Sequence, residues 1–300
     1  MTAVPPSPRT LLEYLQKATG FLAEREVESP RLSAELLLAD LLGASRLDLY
    51  LRFEEVLSPG VVEAYRERLR RRARHEPLPY IIGKREFYGR QFHVTPAVLI
   101  PRPETEHLVE VALTHMRASP PGVIMDVGTG SGVLAGTLLC ECPEWRGLAT
   151  DTSREALAVA RENARRLGVA DRLEFREGSL YTCLLPGENF AVIVANPPYI
   201  RNDEWDDLPR QVRDFEPAAA LRGGADGMDV LRPLILEAPS YLAAGGILAV
   251  ELGETQGAAV LQLAGSTGLA DARVLHDLAG KPRVLVAHAG QSPAGREDGP

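Results

Sequence analysis

The 300-residue chain predicts an α/β fold, with a doubly wound and mostly parallel sheet behind a small helical bundle. Three observations carry that expectation. Leucine recurs at helical spacing through the first 75 or so residues. From Gly122 onward, short apolar runs alternate with amphipathic stretches, the pattern of strands joined by right-handed helical crossovers. The last two β-like runs are joined only through Ala279-Gly280-Lys281, too short for a crossover, so the last strand enters antiparallel.

The elements follow in order. Thr10-Leu11-Leu12-Glu13 has the spacing of a capping box ahead of an amphipathic run. Ser29-Pro30 and Ser58-Pro59 each offer an N-cap followed by proline at the first helical position. Between them "RLSAELLLADLLG" reads as a core helix stopping at Gly43. The last helix of this group ends in "RERLRRRARH", six arginines in ten residues, which reads as a solvated face or a docking surface for an acidic or nucleic-acid-bearing partner. From Glu76 the texture changes, and "PLPYIIGKREFYGRQFHVTPAVLIP" predicts a hairpin turning at Gly89-Arg90 and linking two domains. "PETEHLVEVALTHMR" reads as a helix with Pro103 and two glutamates in its first turn, where the dipole favours them.

Seven strands are then expected: "GVIMDVG", "GLATD", "RLEFREG", "FAVIVANPP", "GILAVEL", "ARVLHDL" and "RVLVAHA". "SGVLAGTLLCE", "SREALAVARENARRLG", "DVLRPLILEAPSYLAAGG" and a stretch after Thr255 read as helices between them. The resulting organisation is a bundle over 1–75, a hairpin linker over 76–101, a catalytic domain over 102–290 and a disordered tail over 291–300.

Composition excludes several classes. Hydrophobic residues make up 45% and charged residues 25%, as in ordinary globular chains. A net charge of −8, with the part after residue 75 acidic, argues against a general nucleic-acid binder. Cys140, Cys142 and Cys183 are too few for a disulfide framework and lack zinc spacing, so a reducing, cytoplasmic compartment is expected and no metal. The proline-rich start has no apolar h-region, and no apolar run approaches the ~18 residues of a membrane span. His93, His107 and His276 stand alone in apolar patterns, where core or surface roles are expected.

The chemistry concentrates at strand ends. "MDVGTGSG" places Gly128, Gly130 and Gly132 directly after the first strand of the sheet, allowing a tight turn and close approach of backbone to a ligand. The third glycine arrives one residue too early for the dinucleotide fingerprint, and Val133 occupies its place. Asp151 ends the next strand, where a carboxylate can accept from both hydroxyls of a ribose, and Asp126 can face a ligand's ammonium group. The plain alternative for either is an N-cap or turn residue. Gly178-Ser179-Leu180-Tyr181 fall where an adenine ring would be edged and walled.

"VIVANPPYI" adds the second half. The fourth strand should neighbour the first, so Asn196 emerges beside Gly128. Pro197 and Pro198 have no N–H, so the turn offers acceptors without competing backbone donors. A planar –NH2 would bond the Asn196 side-chain oxygen and the Pro197 carbonyl, with Tyr199 stacked on it to exclude water. That suits a weakly nucleophilic amide or exocyclic amine attacking a methyl on sulfonium, because both bonds strengthen as the nitrogen becomes positive.

On these motifs the chain resembles the amino-methylating S-adenosylmethionine-dependent methyltransferases. It resembles most specifically the bacterial peptide chain release factor glutamine methyltransferase family, through "PLPYIIGKREFYG", "LIPRPETE", "EPAAALRGGADG", "ELGETQ" and "AGKPRVL", which together span about residues 10–290. The resemblance implies a class I, Rossmann-like, seven-stranded catalytic domain behind a helical bundle that docks the release factor. It implies S-adenosyl-L-methionine as cofactor, S-adenosyl-L-homocysteine as product, and the Gly-Gly-Gln glutamine of class-1 release factors as substrate. Asn196, Pro197, Pro198 and Tyr199 would bind that amide and carry catalysis. Asp126, Gly128, Thr129, Gly130, Ser131, Gly132, Asp151, Ser179, Leu180 and Asn196 would hold the cofactor, with Arg102 and Glu104 at the crevice edge. A monomer is expected, with no membrane association and no stable nucleic-acid binding. Two departures stand out: Ser179 replaces a frequent acidic residue, and "PLPYIIG" replaces alanine and threonine at its third and sixth positions.

Rivals remain on sequence alone. A glutamine methyltransferase of a ribosomal large-subunit protein shares nearly all the motifs. An adenine-N6 nucleic-acid methyltransferase would want base flipping and a basic recognition region. A non-catalytic nucleotide-binding scaffold would not need Asn196 beside the glycine loop.

Overall fold

A computed structural model of the chain describes residues 10–277 and 279–290. The expected disordered tail and the proline-rich start lie outside the described residues. Two compact units result: one holds residues up to Gly83 together with Pro209–Phe215, the other Lys84–Leu208 and the chain from Glu216 onward.

The first unit contains α1 (Leu11–Ala23), α2 (Pro30–Leu41), α3 (Arg46–Leu51), α4 (Pro59–Arg72) and α5 (Leu78–Ile82). Thr10 forms its capping box with Glu13, and Ser58 caps α4 through the Val61 N–H. Ser29 does not cap α2, because it sits at φ 48 and its hydroxyl makes no cap bond. The core is leucine from α1 and α2 closed by Tyr65, whose hydroxyl donates to the Ala34 carbonyl at 2.9 Å. The arginine run is largely occupied within the unit. Arg66 and Arg70 pair with Glu63, Arg68 with Asp40 and Arg71 with Glu76, while Arg72 is buried against Ser33. Residues 76–83, expected within the hairpin linker, fall in this unit, where "LPYII" forms α5.

The second unit opens with the hairpin β1 (Lys84–Phe87) and β2 (Arg90–His93), then α6 (Thr105–Ala118). β3 (Val123–Val127), α7 (Val133–Glu141), β4 (Arg146–Asp151), α8 (Arg154–Leu167), β5 (Leu173–Glu177) and β6 (Phe190–Ala195) follow. After short β7 (Ile200–Arg201), α9 (Arg210–Arg213) and β8 (Arg222–Gly224), the unit ends in α10 (Leu231–Glu237), β9 (Leu242–Glu251), α11 (Gly257–Gly265), β10 (Ala270–His276) and β11 (Pro282–His288); α9 itself lies in the first unit.

The seven-stranded sheet has the order β10-β11-β9-β6-β3-β4-β5. The last strand, β11, runs antiparallel to both β10 and β9, and the rest pair parallel. Alternate residues face opposite layers, as strand geometry requires. Ile124, Val192, Val194 and Ile247 pack under α6, α7 and the hairpin phenylalanines. Met125, Ile193, Leu248 and Val250 pack under α10 and α11.

One expected helix is shorter than its pattern suggested. "DVLRPLILEAPSYLAAGG" is helical only to Glu237, continues as a 3-10 turn over Ala238–Ser240, and β9 begins at Leu242. Pro239 cannot donate within a helix, and Gly245 takes φ +75 where the register with β6 shifts between Phe190 and Val192. Among the described residues, no helix is long and apolar enough to cross a membrane.

Candidate active site

Parallel register sets the site. Val127 lies opposite Ala195 and Thr150, so the chain leaves β3, β4 and β6 at one level, on the carboxyl side. The glycine loop, Asp151 and Asn196 are the next residues out. They line one cavity of about 430 Å³, walled also by Val98, Leu180 and Pro217.

The loop is held by its neighbours. Thr129 N–H donates to the Thr150 carbonyl (2.8 Å), and Gly130 N–H donates to Asp151 Oδ2 (2.9 Å). Asp151 Oδ1 accepts from the Ser153 N–H at the start of α8 (2.9 Å). Gly128, Gly130 and Gly132 all take positive φ, where L side chains are strained. A Cβ on Gly128 or Gly130 would meet nothing in the protein within 4 Å, whereas one on Gly132 would press on Ala160. Gly132, expected to hold the cofactor, does not line the cavity and is required by helix packing against α8, whereas Gly128 and Gly130 line it and leave room above the backbone for a ligand.

Asp126 lies beneath this loop and not on the cavity wall. It is fully buried; its Oδ2 accepts from Thr129 Oγ1 (2.6 Å) and the Ala135 N–H (3.1 Å). Oδ1 is buried without a hydrogen-bond partner. Burial pushes the carboxyl up to about 6, against the pull of those two donors. Ser131 lines the cavity, and its carbonyl accepts from the buried Asn163, which also bonds His93 on β2 through both backbone groups. Ser179 and Leu180, the latter at φ 51, line the far wall. Nearby, Thr182 Oγ1 accepts from the Ser179 N–H and donates to the Ser179 carbonyl.

The residues present fit S-adenosyl-L-methionine. Two loop glycines with open space over them, a carboxylate at the second strand end and an apolar wall at Leu180 suit a nucleoside with a charged tail.

Asn196, Pro197 and Pro198 line the same cavity. Asn196 Nδ2 donates to Thr105 Oγ1 (3.1 Å), which donates to Glu251 Oε2 (2.7 Å). Tyr199 does not line the cavity. Its ring packs with the α10–α11 layer and its hydroxyl donates to Glu251 Oε1 (3.3 Å), so it backs the corner. Burial, with Glu251 adding to it, raises the Tyr199 phenol; burial likewise raises the Glu251 carboxyl. The glycines of "RGGADG" have a local cause here. A Cβ on Gly223 would lie 2.8 Å from Tyr199 Cα, and one on Gly227 would lie 2.6 Å from the Tyr199 carbonyl oxygen.

Arg102 reaches the cavity, held by Glu216, which accepts from its guanidinium at 2.6 Å and from the Ile100 N–H at 3.0 Å. Glu104 is exposed at the start of α6 and lies off the cavity. Thr105, Asn163, Glu216 and Glu251 carry no motif of their own in the sequence reading, although "LIPRPETE", "EPAAALRGGADG" and "ELGETQ" contain three of them. Among the described residues, no group of three or more His, Cys, Asp or Glu side chains is placed to hold a metal.

Comparison with known proteins bears on the family. Residues 13–83 match the PrmC N-terminal domain, and residues 105–211 match the methyltransferase small domain. A release factor glutamine methyltransferase of Nitratidesulfovibrio vulgaris is 44% identical over 280 residues, covering 93% of this chain and 95% of that protein. Its counterpart from Geobacter sulfurreducens is 42% identical over 281 residues, covering 94% and 97%. Among solved structures, the hMettl16 catalytic domain in complex with MAT2A 3′UTR hairpin 6 superposes with a TM-score of 0.54 at 17% identity, over 76% of this chain and 83% of that one, a likeness of fold. With relatives this similar along nearly their whole length, the chain belongs to the release factor glutamine methyltransferase family.

Proposed function

We propose that this protein transfers a methyl group from S-adenosyl-L-methionine to the side-chain amide nitrogen (N5) of the glutamine in the Gly-Gly-Gln motif of class-1 peptide chain release factors. The observation that carries this reading is that Asn196 and the glycine loop open on one cavity, in register on adjacent strands. Two family relatives, named for that activity, support the substrate.

S-adenosylmethionine, when bound, supplies an electrophilic methyl on sulfonium. Gly128 to Ser131, Asp151, Ser179 and Leu180 hold it. Asn196 Oδ1 and the Pro197 carbonyl accept the two N–H bonds of the glutamine amide and fix its plane. As positive charge grows on that nitrogen both acceptors bind more strongly, so the corner favours the transition state over the ground state. Positioning contributes roughly 7–11 kcal/mol, and the two acceptors about 3 kcal/mol. The apolar walls exclude water, and no strong base is required because the proton departs after transfer. Asp126 braces the loop and Tyr199 backs the corner. The helical unit docks the release factor, and the enzyme works as a cytoplasmic monomer without stable nucleic-acid binding.

The test is transfer of radiolabelled methyl to a release factor and to its Gln→Ala variant, with ribosomal protein and DNA in parallel. Label on the release factor alone, lost in the variant, is expected. Equal label on both forms, or preferential labelling of ribosomal protein or DNA, would overturn the substrate assignment.

A further inference from the structure

Glu251 plays no part in the chemistry above, yet it is the last residue of β9 and almost completely buried, 1% exposed. Both its oxygens accept. Thr105 Oγ1 donates to Oε2 at 2.7 Å and the Tyr199 hydroxyl donates to Oε1 at 3.3 Å. One carboxylate therefore ties both ends of the Asn196–Tyr199 corner, Tyr199 directly and Asn196 through Thr105.

The direction of the protons matters more than the contacts. A threonine hydroxyl has one proton, and here it goes to Glu251 Oε2. With that proton spent on Glu251, Thr105 Oγ1 has only lone pairs to offer Asn196, and the group 3.1 Å away is accordingly Nδ2. The amide oxygen must then point the other way. An amide turned by half a rotation would present –NH2 to the –NH2 of a glutamine, two donors without an acceptor.

We infer that Thr105 and Glu251 are positioning residues that lock the Asn196 amide with its oxygen toward the target nitrogen. This rests on the reading that Asn196 Oδ1 accepts from the substrate amide. Glu251 lies off the cavity; Thr105 lines it and acts here through Asn196.

The test uses the full chain with a release factor and S-adenosylmethionine. Thr105→Val keeps the side-chain shape and removes the hydroxyl. It should lower kcat by about 10- to 100-fold, leave KM for S-adenosylmethionine near wild type, lower the melting temperature because the buried Glu251 loses a donor, and be rescued in both by Thr105→Ser. Wild-type kcat in Thr105→Val, while Asn196→Ala is inactive, would overturn the positioning role and leave the proposed activity standing. A fall in kcat not rescued by serine, or accompanied by a matching rise in KM for S-adenosylmethionine, would also overturn it in favour of a packing role. A wild-type enzyme that methylates no release factor would remove both.

Discussion

Gly128 and Gly132 share a backbone conformation and differ in surroundings, which makes alanine at each a controlled pair. Their φ values are +70 and +79, so an L side chain costs roughly 1–2 kcal/mol at either. Reduced freedom of the unfolded chain returns about 0.4–1 kcal/mol. At Gly128 nothing in the protein meets the new methyl, and the net loss of stability should stay near 1 kcal/mol. At Gly132 the methyl would sit 3.2 Å from Ala160 Cβ and 3.3 Å from its Cα, inside ordinary contact. Overpacking of this kind adds about 1–3 kcal/mol, for a total of about 2–4 kcal/mol. Cofactor affinity should rank in the opposite sense, because the Gly128 methyl occupies ligand space. Urea unfolding followed by tryptophan fluorescence reads the stability of the right unit, since both tryptophans, Trp145 and Trp205, lie in it. Titration calorimetry with S-adenosylmethionine reads the affinity. Equal stability of the two variants, or the same ranking in both assays, would refute the separation of packing from ligand clearance.

Further outcomes are expected at neighbouring residues. Because burial raises the Asp126 carboxyl to about 6 in the folded state, the ligand-free protein should gain stability as pH falls from 7 through that value, on the order of 3 kcal/mol by the time the unfolded-state value near 4 is passed. Asp126→Asn should flatten that slope in pH-dependent melts, and an unchanged slope would exclude Asp126 as its source. Asn196→Ala should reduce kcat by about 100-fold or more with near-normal cofactor affinity; retained turnover would contradict its role. Asp151→Ala removes the acceptor of two backbone N–H groups and a ligand-facing carboxylate, so cofactor affinity should fall by about 10-fold or more in calorimetry. Tyr65→Phe should cost about 1 kcal/mol in the helical unit, measured by circular dichroism, through loss of its bond to the Ala34 carbonyl.

The sheet was legible because apolar runs such as Val192–Val194 admit few alternatives, and because strand-end residues inherit their neighbours from parallel register. Gly128, Asp151 and Asn196 meet as that logic expects. Local signals misled where tertiary context overrides them. Ser29 looks like a cap but adopts φ 48, and the apolar stretch after Pro239 pairs with β6 instead of extending α10. Tyr199 has the chemistry of a stacking residue, yet its ring is drawn into the layer behind the corner. The supports were illegible for a simpler reason. Thr105 and Glu251 bond across 146 residues, Asn196 and Thr105 across 91, and Arg102 and Glu216 across 114. No spacing rule reaches that far.

The placement of β11 between β9 and β10 bears on how the molecule is assembled. β10 pairs with no strand of the sheet but β11, so its ladder bonds wait for the strand synthesised after it. That same strand sets Val284 opposite Glu251, and the Leu252 N–H donates to the Arg283 carbonyl at 2.9 Å. The carboxylate beneath the corner thus gains its last wall from the latest-made piece of the sheet. A chain stopped before Pro282 loses Val284, Leu285, Val286 and Ala287 from the two core layers together with that wall, so it should neither hold the glycine bend nor transfer methyl. Cofactor capture and turnover measured on the truncated chain would check this.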